Sequence, residues 1–355
     1  MHLYPMMFKP ILKEMVWGGQ RLKEKFGREL PSAFIGESWE ISCRENDMSF
    51  IENGKYSGKT FIEVLESAPE KYLGTDVYSS NYRKFPLLIS IIDANKDLSV
   101  QVHPTDEFAI KFENEVFGKS EMWYVAEAPE NATIVFGFND GVSKEKLKEA
   151  LKKGEVKKLL NRLPVKRGDI VNIPAGLVHA ITAGVMIFEV QQNVNITYRL
   201  YDYGRLGLDG KPRELHIEKA MDVIDFTDKY SKETIPGLQV LDCDAVKTYY
   251  IASEYYAIEK LSVNGKYKTQ SNPRRFHLLT CVTGSCKIEL PNEVIELDLS
   301  RTVFIPACMG EFKILGTCEL LVSYVPDITD DFIKPLKNSG YSDEQISLKT
   351  QVMFD

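Results

Sequence analysis

Residues 165–174 can be laid over residues 297–306 at a fixed offset of 132, so that Ile173-Pro174-Ala175 falls on Ile305-Pro306-Ala307. Each copy is a turn, a short strand and an Ile-Pro-Ala corner. Around both copies the chain runs as short apolar stretches closed by Gly, Pro and Asn. These are residues 87–92, 122–125, 133–138, 170–173 and 185–190 first, then 255–263, 276–282, 285–290, 294–297, 303–305 and 320–325. Strand-length runs punctuated by turn residues predict an all-β sandwich or jelly roll, and two related copies predict two of them. The second copy keeps the corner but puts Glu311 where the first has His179, and Arg301 where it has Asp169.

Helical spacing interrupts this pattern in the N-terminal half. Residues 61–73 carry it between Gly58 and Gly74, and Ser143 opens a second stretch that ends before Gly154 and resumes over 156–163. The latter predicts a helical insert whose interleaved lysines and glutamates form a solvated face. Residues 214–224 read as an amphipathic helix, and the polar stretch 227–237, ending in Pro-Gly, reads as a linker. The expected domains are therefore 1–235, 236–326 and a tail, 327–355, in which no period is visible.

A chain of 355 residues is long enough for two domains, and a net charge of -7 excludes the broad basic face of a general nucleic-acid binder. Neither a secretory leader nor a bilayer-length apolar run is present. A cytoplasmic protein without nucleic-acid or membrane partners is expected, as a monomer or homodimer. Six cysteines without a C-x-x-C pair indicate neither a disulfide scaffold nor a thiolate zinc site; Cys281 and Cys286 read as a reduced pair facing across a hairpin at Thr283-Gly284.

One group of side chains fits a metal. Gln101 and His103 are two apart on a predicted strand and leave the same face. Glu121 follows at the mouth of the next strand, and His179 follows the Ile-Pro-Ala turn. A Gln/His/Glu/His set is a mixed nitrogen and oxygen shell, suited to Zn²⁺ or another first-row divalent ion. His2, His216 and His277 read as structural. Lys119, beside Glu121, Glu189, in an apolar strand where a carboxylate needs a partner, and a metal-bound water are the candidate proton carriers.

Phe85-Pro86-Leu87-Leu88-Ile89, Leu98-Ser99-Val100-Gln101-Val102-His103-Pro104, Gly118-Lys119-Ser120-Glu121-Met122-Trp123-Tyr124, Pro174-Ala175-Gly176-Leu177-Val178-His179, Thr197-Tyr198-Arg199-Leu200-Tyr201-Asp202 and Arg213-Glu214-Leu215-His216 resemble the type I mannose-6-phosphate isomerases, most closely their short bacterial branch. The resemblance runs from Trp17 to about Phe226 and is looser beyond. It implies two cupin-type β jelly rolls, the second degenerate and metal-free. It also implies one zinc ion per chain and interconversion of mannose 6-phosphate and fructose 6-phosphate. The family's metal ligands fall on Gln101, His103, Glu121 and His179, its catalytic arginine on Arg199 and an acidic partner on Glu189.

The chemistry is consistent with these residue types. Moving a carbonyl from C1 to C2 removes a proton beside a carbonyl and leaves an enediolate that a cation stabilises. Arg199 stays protonated and serves as a clamp or charge stabiliser rather than a base. One departure stands out: many members carry a lysine where this chain has Ser90, which points either to an altered substrate preference or to compensation of the phosphate or hydroxyl contacts by Lys96, Lys119 or Arg205. Two other readings compete, a metal-dependent cupin oxygenase and a non-catalytic sugar-phosphate-binding cupin.

Overall fold

The computed structural model describes residues 3–79, 84–227 and 229–353, so His2 lies outside the described residues. The chain is mainly β and forms two compact units, one of Leu12–Ser38 and Ser90–Thr234, the other of Met1–Ile11, Trp39–Ile89 and Ile235–Asp355. Among the described residues no helix is long and apolar enough to cross a membrane.

In the first unit the strands Leu160–Pro164, Thr133–Phe138, His179–Ala180, Val100–Val102 and Tyr198–Tyr201 form one sheet in that order. Ile170–Ile173, Glu121–Glu127 and Met186–Gln192 are neighbours in another. The inward positions of both sheets meet in one core, with Ile134 and Phe136 from the first packed against Trp123, Val125, Val171 and Ile187 from the second. Alternation sets which side chains enter it, as expected for paired sheets each burying one face.

The helix Lys144–Lys153 forms where its punctuation places it: the Ser143 side chain accepts from the Lys146 N–H, and Gly154 closes the end at a φ of 70°. The helical reading of 156–163 is corrected. Only a short 3-10 turn, Val156–Leu159, is helical, and Leu160–Pro164 is a strand paired with Thr133–Phe138. Leu160 and Leu163, three apart, enter different apolar clusters, Leu160 with Leu147 and Val156 and Leu163 with Ile134 and Phe136, so a strand buried at positions on both faces imitates helical spacing. The predicted helix over 214–224 starts later, at Ile217.

The second unit is built on a sheet in the order Met6–Met7, Thr302–Ile305, His277–Leu290, Glu311–Tyr324, Ala257–Gln270, Ala245–Ala252, Leu238–Asp242. The hairpin expected at Thr283-Gly284 is absent. His277–Leu290 is one strand that bulges between Cys281 and Thr283, with Gly284 at a φ of 71°, so Cys281 and Cys286 lie along one strand. All six cysteines are free thiols. Residues 39–89, assigned by linear reading to the first domain, pack here: Phe61 and Phe85 meet Phe304 at 5.1 and 6.1 Å between ring centroids, and Phe85 lies 5.0 Å from Phe276. The stretch 61–73 is two helices, Phe61–Ser67 and Pro69–Leu73, because Pro69 can begin a helix but not continue one. The described part of the tail carries helical Ile328–Ile333, Lys334–Asn338 and Asp343–Lys349, which pack Phe332, Leu336 and Ile346 on Leu238, Tyr249 and Ala252.

Candidate metal centre

Strand alternation supplies the first arm. Val100 and Val102 turn into an apolar cluster, which leaves Gln101 and His103 to the other face. His179 reaches the same place because it pairs in register with Gln101 on one side and Phe136 on the other. The turn before it is tied to the first arm, the Gly176 N–H donating to the His103 carbonyl at 2.9 Å, with Gly176 at a φ of 86°. Glu121 begins the strand Glu121–Glu127 opposite Ile173 and Gln191. Gly118 lets the preceding loop approach, since a Cβ there would stand 2.3 Å from the Thr105 carbonyl carbon.

These elements bring His103, Glu121 and His179 together, with ligand-capable atoms all within 4.8 Å of one another and all three residues buried. His103 Nε2 lies 3.4 Å from Glu121 Oε2, and His179 Nε2 lies 3.4 Å from Glu121 Oε1. The other ring nitrogens fix both tautomers. His103 Nδ1 donates to the Ile196 carbonyl at 2.8 Å and His179 Nδ1 to the Leu177 carbonyl at 2.8 Å, so each Nε2 presents a bare lone pair to the centre. His103 Nε2 and both Glu121 oxygens are buried without a well-formed hydrogen bond. Two imidazole nitrogens and a carboxylate turned on one point, with only Oε2 of Glu121 beside an ammonium, that of Lys119, would be unfavourable unless a further cation meets them. The donor set therefore fits a divalent ion.

Electrostatics favour the same occupant. Burial, helped by the Lys119 charge, pulls His103 down to about 3, and burial lowers His179 as well, so both imidazoles are neutral. Against its burial, Glu121 is held ionised well below its usual range, chiefly by the Lys119 charge. Lys119 Nζ stands 2.8 Å from Glu121 Oε2; burial opposes its charge, but Glu121 and Glu189 keep it a cation. Gln101 lies alongside, its Nε2 3.5 Å from His179 Nε2 and its Oε1 accepting from Ser99 at 3.2 Å.

Behind this cluster sits a contact that sequence reading missed. Trp123 Nε1 donates to Glu189 Oε1 at 3.3 Å, the Ser90 hydroxyl donates to Glu189 Oε2 at 2.8 Å, and the Trp123 ring meets His179 edge-on at 5.5 Å. Trp123 stands two residues from Glu121 on one strand, a spacing that could have flagged it. Burial, and then the Glu121 charge, push the Glu189 carboxyl up to about 8.

The arginines lie elsewhere in the unit. Arg199 pairs with Gln101 in backbone register, and its Nη1 donates to the Glu214 carbonyl at 2.7 Å. Arg205 donates to Asp202 Oδ1 at 2.8 Å and to the Asp97 carbonyl, and Arg213 grips both Asp202 oxygens at 2.7 Å. Arg213 is the second contact missed, one of two guanidiniums hydrogen-bonded to the Asp202 carboxylate. His216 accepts from the Arg199 N–H at 3.2 Å and supports that strand.

Two imidazoles and a carboxylate buried together in a mainly β sandwich define a cupin with a candidate metal centre. Residues 6–162 match the type I phosphomannose isomerase catalytic domain, and residues 245–325 match the mannose-6-phosphate isomerase cupin domain. Two Bacillus subtilis proteins are similar: mannose-6-phosphate isomerase ManA, 36% identical over 321 residues, and the probable mannose-6-phosphate isomerase GmuF, 35% identical over 328. Each alignment covers 90% of this chain and 99% of the relative. The crystal structure of the mannose 6-phosphate isomerase from Bacillus subtilis matches with a TM-score of 0.82 at 34% identity, over 90% of this chain and 99% of that one. A mannose 6-phosphate isomerase structure described as bound with zinc and yttrium shares the fold at 16% identity and a TM-score of 0.70, over 90% of this chain and 99% of that one. The chain belongs to the type I mannose-6-phosphate isomerase family.

Proposed function

We propose that this protein interconverts mannose 6-phosphate and fructose 6-phosphate through an enediolate, with one zinc ion held by Gln101, His103, Glu121 and His179. The observation that carries the reading is the buried convergence of His103, Glu121 and His179, with ligand-capable atoms within 4.8 Å of one another, in a chain of this family. The mixed nitrogen and oxygen donors suit zinc, and rotation of the Gln101 amide would present Oε1 as the fourth. Bound zinc would supply positive charge beside the sugar oxygens.

The remaining work falls to the chain's own side chains. Lys119, held cationic, is a donor toward an oxygen that gains charge in the enediolate. Glu189, whose carboxyl is pushed up to about 8, is suited to hold and release a proton near neutrality. Arg199 and Arg205 are assigned to the phosphate and hydroxyls. Asp202 offsets only part of the charge of Arg205 and Arg213, so the group keeps a positive excess for an anion. Ser90, fully buried on Glu189, makes no phosphate contact in this scheme. Residues 236–326 serve as a metal-free partner domain.

Metal analysis tests the ligand set. Protein purified without added metal is expected to carry about one zinc per chain, and Glu121→Gln to carry almost none. Equal zinc in the two proteins overturns the assignment.

A further inference from the structure

The sheet of the second unit keeps polar groups where a closed core would be apolar. Along Ala257–Gln270 the inward positions are Ala257, Glu259, Leu261, Val263, Tyr267 and Thr269. Register places Tyr249 and Val322 beside Glu259, and Lys247 beside Leu261. These side chains, with His277 and Tyr324, line a cavity of about 310 Å³ whose floor is apolar and whose rim includes exposed Gln270 and Asp330. That volume is at the lower end of small-molecule pockets, roughly 300 to 1,000 Å³.

The polar groups are unevenly matched. Lys247 is neutralised by Asp242 at 2.6 Å, and Asp331 by Arg275. Glu259 is buried, and its Oε1 accepts from the Tyr324 hydroxyl, but its Oε2 has no protein donor among the described residues. Neither the Tyr249 hydroxyl nor a ring nitrogen of His277 has a hydrogen-bond partner among those residues. One acceptor and two dual-purpose groups thus face the space above a floor of Leu261 and Leu279. Acidic groups outnumber basic ones here, Asp242, Glu259 and Asp331 against Lys247 and Arg275, which disfavours a phosphate; a purely apolar guest would leave the Glu259 carboxyl without a second partner. Several neutral hydroxyls on a compact frame meet all of these demands.

We propose that this cavity is a second ligand site, taking an unphosphorylated, polyhydroxylated molecule of monosaccharide size, and that Glu259 is its principal acceptor. The site uses residues of the second unit alone and does not depend on the metal reading.

Calorimetric titration of the full chain with D-mannose, D-fructose and inorganic phosphate tests it. At least one sugar is expected to bind saturably to wild type and to His179→Ala alike. Binding is expected to weaken at least tenfold in Glu259→Gln and to disappear in Thr269→Trp, which fills the cavity; circular dichroism and a cooperative melt verify folding. Should Glu259→Gln not fold, Thr269→Trp carries the test. Absence of saturable sugar binding, phosphate binding alone, or sugar binding that survives Thr269→Trp overturns the proposal.

Discussion

The Ser90 hydroxyl donates a 2.8 Å hydrogen bond to Glu189 Oε2, and both residues are buried. The Ser90 side chain is thereby turned inward onto the carboxylate. Ser90→Ala leaves that oxygen without a donor, which costs roughly 1–3 kcal/mol. A melting transition lowered by several degrees, read by calorimetry, is expected; an unchanged one contradicts the role given to this bond.

Glu189 also sets a pH dependence of stability. Its folded value of about 8 lies above an unfolded value near 4.5, so the native state binds the extra proton. This contribution is full below about pH 4.5 and is lost as pH rises through about 8. Glu189→Gln keeps an acceptor for Trp123 and offers a donor to Ser90, so it is expected to remove the alkaline loss. Melting curves of metal-free wild type and variant from pH 5 to 9 should converge at low pH and diverge, variant higher, at high pH.

The paired imidazoles act in the opposite direction. His103 falls to about 3 and His179 is lowered too, whereas both sit near 6.5 when unfolded. Below that value the unfolded chain binds more protons, so stability drops as pH falls through about 6.5 and continues to drop toward 3. Metal-free His103→Gln, measured by urea unfolding at pH 7.5 and 5.5, should lose less stability between the two than wild type.

Asp202 is 5% exposed at its side chain and binds Arg205 and Arg213 at once. Asp202→Asn leaves two guanidiniums half-matched and should cost about 3 kcal/mol, reduced where water reaches the arginines. In a steady-state assay KM for mannose 6-phosphate should change more than kcat, because the group is assigned to binding. A change confined to kcat would argue against that assignment.

The convergence of His103, Glu121 and His179 was legible because strand alternation, a two-residue spacing and the Ile-Pro-Ala corner each dictate direction locally. His103, Glu121 and His179 needed no long-range information beyond the sheet. Leu160 and Leu163 misled because a strand covered on both faces buries residues three apart, and Gly284 misled because a glycine within a long strand resembles a turn. The contacts of Trp123 with Glu189 and of Arg213 with Asp202 join residues 66 and 11 positions apart, a pairing no local pattern encodes. The tail was opaque for the same reason: Phe332, Leu336 and Ile346 find their faces only against Tyr249 and Ala252.

The central claim is a metal-dependent isomerase, and the most direct measurement is the rate of fructose 6-phosphate formation from mannose 6-phosphate before chelation, after it, and after zinc is restored. The expected result is turnover that falls at least a hundredfold with chelator and returns with zinc, since loss of even outer-shell support costs metal sites about 10–100-fold. Turnover that survives complete metal removal, or its absence in zinc-loaded folded protein, would contradict the account.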